Sequence, residues 1–202
     1  MSLQILSTPV IQRGKQYLLA KTDKQNMKKI KKDLDIVRIL GIDPGTATTG
    51  WAILEQHNKE LVPVAYGHIS TSPKDSTCQR LKEVAQDIDE IIKKYQPTEG
   101  IIEDLFFFKN VKTAMKVSQS RGAIMLTLIK AGLGIFEYTP LQVKQAVTGY
   151  GRADKKQVQL MVKNILKLKE IPTPDDTADA LAIAICHMQS RVFAIAKEES
   201  RK

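Results

Sequence analysis

A chain of 202 residues carries enough material for one domain with a substantial core and too little for two full ones. Its formal charge is +9, from 31 Lys and Arg against 22 Asp and Glu, and its two cysteines, Cys78 and Cys186, provide neither a disulfide framework nor zinc-ligand spacing. No apolar run reaches the roughly twenty residues that cross a bilayer, so the expectation is a cytoplasmic protein without a membrane partner.

Along the chain the charge is uneven. Residues 1–40 hold nine basic and three acidic residues and residues 140–170 hold seven and two, whereas 41–139 and 171–202 are each one unit negative. Clustered lysines suit a polyanionic partner, because Lys and Arg contacts to phosphate dominate nucleic-acid affinity. Residues 1–35 read as a flexible basic extension, 36–197 as the folded domain and 198–202 as a short tail.

Three short apolar stretches, Val37 to Ile42, Trp51 to Leu54 and Val62 to Ile69, are separated by Pro-Gly-Thr and Asn-Lys-Glu turn signals and predict an antiparallel meander. Between Ser76 and Tyr95, Leu81, Val84, Ala85, Ile88, Ile91 and Ile92 recur at helical spacing, and Pro97 follows the end. A fourth strand, Gly100 to Leu105, leads past three phenylalanines into a helix from about Val111 to Ala131. A short fifth strand, Ile135 to Tyr138, is followed by a helix that Pro140 opens and that stops near Gly149. Val158, Met161, Ile165 and Leu168 then form an apolar stripe on a lysine-rich helix, and Pro172 and Pro174 break the chain before a final helix, about Asp175 to Ala196. The predicted class is α/β: a mixed five-stranded sheet, a meander plus two further strands, flanked by helices.

Acids stand at chosen places in this layout. Asp43 ends the first apolar strand, held extended by the proline after it, and Glu103 closes the fourth. Asp176 and Asp179 sit three apart at the start of the last helix, hence on one face, near an N-terminus whose dipole favours negative charge. A bland alternative for Asp175 and Asp176 is capping that helix, and strand register decides whether Glu103 or Asp104 turns inward. His57, His68 and His187 lack a paired spacing and read as surface or capping residues. If the four acids meet, they repel unless cations neutralise them, and hard oxygen ligands suit Mg²⁺ or Mn²⁺. Two such ions about 3.5 to 4 Å apart activate water and stabilise the attacking and leaving oxygens of phosphodiester hydrolysis.

Five pieces in order, Gly-Ile-Asp-Pro-Gly at Asp43, Ile-Glu-Asp-Leu-Phe at Glu103, Val-Lys-Gln-Ala-Val at Lys144, Asp-Lys-Lys-Gln-Val-Gln at Lys155 and Lys156, and Asp-Asp-Thr-Ala-Asp-Ala-Leu-Ala at Asp176 and Asp179, resemble the RuvC family of Holliday-junction resolvases, within the RNase H-like nuclease fold. The resemblance spans about Val37 to Gln189. It implies a bacterial-type intracellular homodimer that nicks opposed strands of four-way junction DNA symmetrically, using two Mg²⁺ ions per site with Mn²⁺ as a substitute, alongside a branch-migration motor. It further implies Asp43, Glu103, Asp176 and Asp179 as catalytic metal ligands, and Phe106, Lys144, Lys155 and Lys156 as DNA contacts, with the Val111 to Ala131 helix at the dimer contact. Three rivals are weighed beside it. An actin-like ATPase shares the Gly-Ile-Asp-Pro-Gly loop but needs a second lobe; an RNase H-like nuclease of RNA precursors shares the acids; a basic DNA binder would need a decayed site.

Overall fold

The computed structural model describes residues 36–57, 60–104 and 111–199. Ten elements follow in order: β1 (Ile36–Asp43), β2 (Thr48–His57), β3 (Glu60–Ser70), α1 (Thr77–Tyr95), β4 (Glu99–Glu103), α2 (Val111–Lys130), β5 (Gly134–Tyr138), α3 (Pro140–Thr148), α4 (Lys155–Ile165) and α5 (Asp175–Glu199). The sheet order is β3-β2-β1-β4-β5. β1, β2 and β3 pair antiparallel as the predicted meander, while β4 and β5 run parallel to β1.

Local chemistry sets the helix ends. The Ser76 hydroxyl accepts from the Gln79 N–H to start α1, and Gln96, at φ 52°, ends it. Thr139 with Gln142, and Asp154 with Gln157, form reciprocal capping boxes at the starts of α3 and α4, and Gly149, at φ 75°, terminates α3. The apolar stripe of α4 ends differently from its pattern. Lys167 adopts φ 52° and the Leu168 N–H bonds back to the Lys163 carbonyl at 2.9 Å, so Leu168 folds onto the core from beyond the helix. β4 occupies Glu99–Glu103, one residue earlier at its start than expected and with Asp104 outside it, while the expected end at Leu105 lies outside the described residues; α5 runs to Glu199.

Both faces of the sheet are covered, which is why the β1 sequence reads as a continuous apolar run. Leu40, Ile42, Ile53 and Ile102 face Val84, Ile88, Ile124 and Leu128 of α1 and α2. On the other side Ile39, Ala52, Leu54 and Ile101 face α3, α4 and the alanine-rich α5. The approach of α5 is very close. A Cβ on Gly41 would lie 2.6 Å from the Ala180 carbonyl oxygen and 2.8 Å from the Ala184 Cβ, and one on Gly50 would lie 1.8 Å from the Asp176 carbonyl oxygen. Those two glycines let the helix sit directly on β1 and β2. Among the described residues no helix is long and apolar enough to cross a membrane.

Candidate active site

Asp43 and Glu103 are the last residues of β1 and β4. Ile42 and Ile102 are register partners across that parallel pair, so the two acids occupy the next step. Alternation puts Asp43 on the face of Ile39 and Gly41, and Glu103 on that of Ile101, which is the side covered by α5. Asp176 and Asp179 arrive from the first turns of α5. Gly50, the cross-strand partner of Asp43, admits the backbone of Asp176. Three chain segments thus bring all four predicted acids to one end of the sheet.

The turn that follows Asp43 is held by its carbonyls. Gly45 O accepts from the hydroxyls of Thr49 and Ser120, each at 2.7 Å, and Thr46 O accepts from Thr71 Oγ1 at 2.6 Å and Arg80 Nη2 at 2.7 Å. On the other strand, Arg121 Nε donates to Glu103 O at 3.1 Å and its guanidinium reaches Glu137 at 2.7 Å. Sequence reasoning missed these supports. One signal was available: Ser120 lies four and eight residues before Ile124 and Leu128, so it is a lone hydroxyl on a buried helical stripe.

Charge is not balanced here. Burial raises the Asp43 carboxyl well above its usual range, and repulsion from Glu103, Asp179 and Asp176 adds to that against the pull of Lys155. Burial, then the Asp179 charge, pushes Glu103 up to about 7, with Lys144 and Lys155 opposing. Asp179 is also raised by burial, even though Lys155 Nζ lies 3.1 Å from its Oδ2. Lys155 reaches Asp175 as well, at 3.2 Å; burial lowers its pKa, but these carboxylates outweigh that and hold it high.

A cleft of about 200 Å³ opens at this point, lined by Glu103 and Asp179, by Lys144 and Lys155, and by apolar groups including Val143 and Val158. Among the described residues no three acid, His or Cys side chains are drawn tightly enough together to grip an ion as they stand. The donor chemistry fits a divalent cation nonetheless. Burial and mutual repulsion raise Asp43 and Glu103, among the described residues no side-chain hydrogen bond holds their charge, and Lys155 occupies the position of a counter-cation beside Asp179. Carboxylate oxygens in that condition suit a hard ion such as Mg²⁺ or Mn²⁺.

The remaining predicted residues separate. Glu103 turns to the cleft, whereas Asp104 points out at 46% exposure toward Arg121. Asp175 is exposed and bonded to Lys155 and to Gln159 Nε2 at 2.8 Å, leaving Asp176 as the first-turn acid that acts on Asp43. Lys144 and Lys155 line the cleft; Lys156 is exposed and is not part of its lining. Phe106 lies outside the described residues. His187 corrects an expectation. It is 2% exposed, with Nδ1 2.9 Å from the Tyr138 hydroxyl and Nε2 2.7 Å from Glu99, because α5 turns that residue into the sheet and a buried imidazole requires partners.

A five-stranded sheet in this order, with acids at the ends of its central parallel strands, defines the RNase H-like class. Residues 39–187 match the family described as crossover junction endodeoxyribonuclease RuvC. A relative of that description from Finegoldia magna is 51% identical over 162 residues, which is 80% of this chain and 99% of the relative. The solved structure of Thermus thermophilus RuvC aligns with a TM-score of 0.72 at 32% identity, covering 78% of this chain and 97% of that one. The same organism's protein in complex with Holliday junction substrate aligns with a TM-score of 0.71 at 34% identity, over 75% and 93%. The chain belongs to the RuvC family, which is a family of metal-dependent nucleases. That membership answers the actin-like alternative.

Proposed function

We propose that the chain is a structure-selective endodeoxyribonuclease that resolves four-way DNA junctions in recombination and repair, by symmetric phosphodiester hydrolysis that leaves 5′-phosphate ends. The observation that carries this reading is the convergence of Asp43, Glu103, Asp176 and Asp179 on one sheet end, with the Asp43 and Glu103 carboxyls raised by burial and mutual repulsion. The relative solved with Holliday junction substrate supports the choice of DNA.

Asp43 and Glu103 are rigid ligands because strand hydrogen bonding and the bonds to Gly45 O, Thr46 O and Glu103 O fix the segments that carry them. Asp176 and Asp179 complete the set from α5. Two Mg²⁺ ions held by these four carboxylates would supply a water nucleophile at neutral pH and offset charge on the phosphodiester. Lys155 and Lys144, on the cleft lining, receive the phosphate of the strand to be cut, and Lys155 exchanges its hold on Asp179 for that phosphate. Lys156 and Phe106 act as further DNA contacts.

Symmetric cutting needs two sites, and a homodimer provides them. The exposed Met115, Leu126 and Ile129 of α2 are the apolar groups that a second copy would cover. A branch-migration motor as partner, a cytoplasmic setting, and a division into a basic extension at 1–35, a nuclease domain at 36–197 and a tail complete the proposal.

The test is Asp43→Asn, assayed on a labelled four-way junction and a matching duplex with Mg²⁺ or chelator. The wild-type protein cuts the junction in paired, symmetric, metal-dependent nicks, and the variant binds without cutting. Preference for RNA, or normal cutting by the variant, overturns the reading.

A further inference from the structure

The turn between α3 and α4 is built more rigidly than a connection requires. Gly149 ends α3 at φ 75°, and the Gln145 side chain spans the bend, donating to Gly149 O at 2.8 Å and accepting from Gly151 N at 3.1 Å. Tyr150 is held at both ends of its peptide. Its N–H donates to Thr148 Oγ1 at 3.1 Å, and its carbonyl accepts from the Ala153 N–H at 3.0 Å. Asp154 then caps α4 through the Gln157 N–H at 2.9 Å. The backbone of this turn is therefore fixed by its own bonds.

Its side chains face outward. Tyr150 is 60% exposed and Leu141, which lies under Gly151, is 63% exposed. Neither serves the core. Between residues 140 and 156 stand Lys144, Arg152, Lys155 and Lys156, against Asp154 alone, whose carboxylate is engaged at the helix cap. Among the described residues only Lys155 of these cations is ion-paired, to Asp175 and Asp179. Lys144 and Lys155, which line the acidic cleft, stand on either side of this turn in the sequence. An exposed aromatic ring carried on a fixed backbone turn among cations is an arrangement suited to single-stranded nucleic acid, with bases stacked on the ring and phosphates on the charges.

We propose that Tyr150 is a stacking platform for an unpaired nucleotide of the junction strand held in the cleft, with Arg152 and Lys156 contacting the phosphates beside it. This rests on the junction-cutting reading above. Preorganisation of the backbone favours the contact, since a turn already held by its own bonds need not be ordered when a base settles on the ring.

The experiment measures binding in the non-cutting Asp43→Asn background, with Tyr150→Ala, Tyr150→Phe and Tyr150→Trp compared on a four-way junction and a linear duplex of the same sequence. Loss of one stacked base weakens junction binding about tenfold for Tyr150→Ala, leaves duplex binding within about twofold, and is restored by Phe or Trp. Arg152→Ala and Lys156→Ala each weaken both DNAs and reduce the slope of log affinity against log salt by about one. A junction carrying 2-aminopurine at its central unpaired positions reports the contact directly, with quenching that disappears in Tyr150→Ala. Equal loss on junction and duplex, or unchanged quenching, overturns the proposal. Because the 2-aminopurine signal does not depend on cutting, it stays readable even if Asp43→Asn retains activity and the catalytic assignment fails.

Discussion

Glu99 and Glu103 open and close the same strand, on the same face, under the same helix, and they live in opposite electrostatic conditions. Glu99 is met by His187 Nε2 at 2.7 Å and by Arg191 at 3.0 Å, and His187 is in turn held by Tyr138. Among the described residues Glu103 has no ion-pair partner at such distances; it shares its surroundings with Asp43 and Asp179, and is pushed up to about 7 against the pull of Lys144 and Lys155. A buried acid that the fold itself neutralises is structural; one that burial and neighbouring acids keep raised is the one that the proposed reading gives to a cation from outside.

The largest effect follows from breaking the uncompensated end. Glu103→Gln keeps shape but removes the charge of a proposed ligand, and because even groups behind metal ligands change affinity or activity by about 10- to 100-fold, cutting is expected to fall at least about a hundredfold. Single-turnover cleavage at saturating Mg²⁺ measures it. The next is a pH dependence of stability without metal. The folded-state pKa of Glu103 is above its unfolded value of 4.5, so the folded chain binds more protons in between. Its contribution is present below about pH 4.5 and lost as pH rises through about 7, by at most about 3 kcal/mol. Thermal melting in chelator from pH 5 to 7.5 shows the decline, whereas Glu103→Gln and added Mg²⁺ each flatten it.

At the compensated end the outcome reverses. Glu99→Ala strands His187 and Arg191 and lowers unfolding free energy by about 2 kcal/mol in urea titration, while cutting per folded molecule is retained. The smallest change is Ser120→Ala. Removing one donor to Gly45 O reduces stability by about 1 kcal/mol and slows cutting only modestly, as the Thr49 hydroxyl still holds that carbonyl.

The fold was legible where pattern and punctuation agree. Ser76 and Pro140 announce helix starts, Gly149 a stop, and the apolar run to Asp43 a buried strand. The acids were legible because a carboxylate ending a hydrophobic strand demands a reason. What escaped was long-range satisfaction. Arg80, Arg121 and Ser120 act on carbonyls 34, 18 and 75 residues away, and nothing local in the chain marks those pairings. His187 escaped for the same reason, since its partners Tyr138 and Glu99 lie 49 and 88 residues off.

The seat that Gly50 provides for the start of α5 has a consequence for biosynthesis. Asp43 and Glu103 are made and can pair their strands long before Asp176 and Asp179 are translated, and the second pair reaches the first only when α5 docks on β1 and β2. On the proposed assignment, a nascent or truncated chain therefore holds half a site, and the set is complete only once the sheet has received its closing helix.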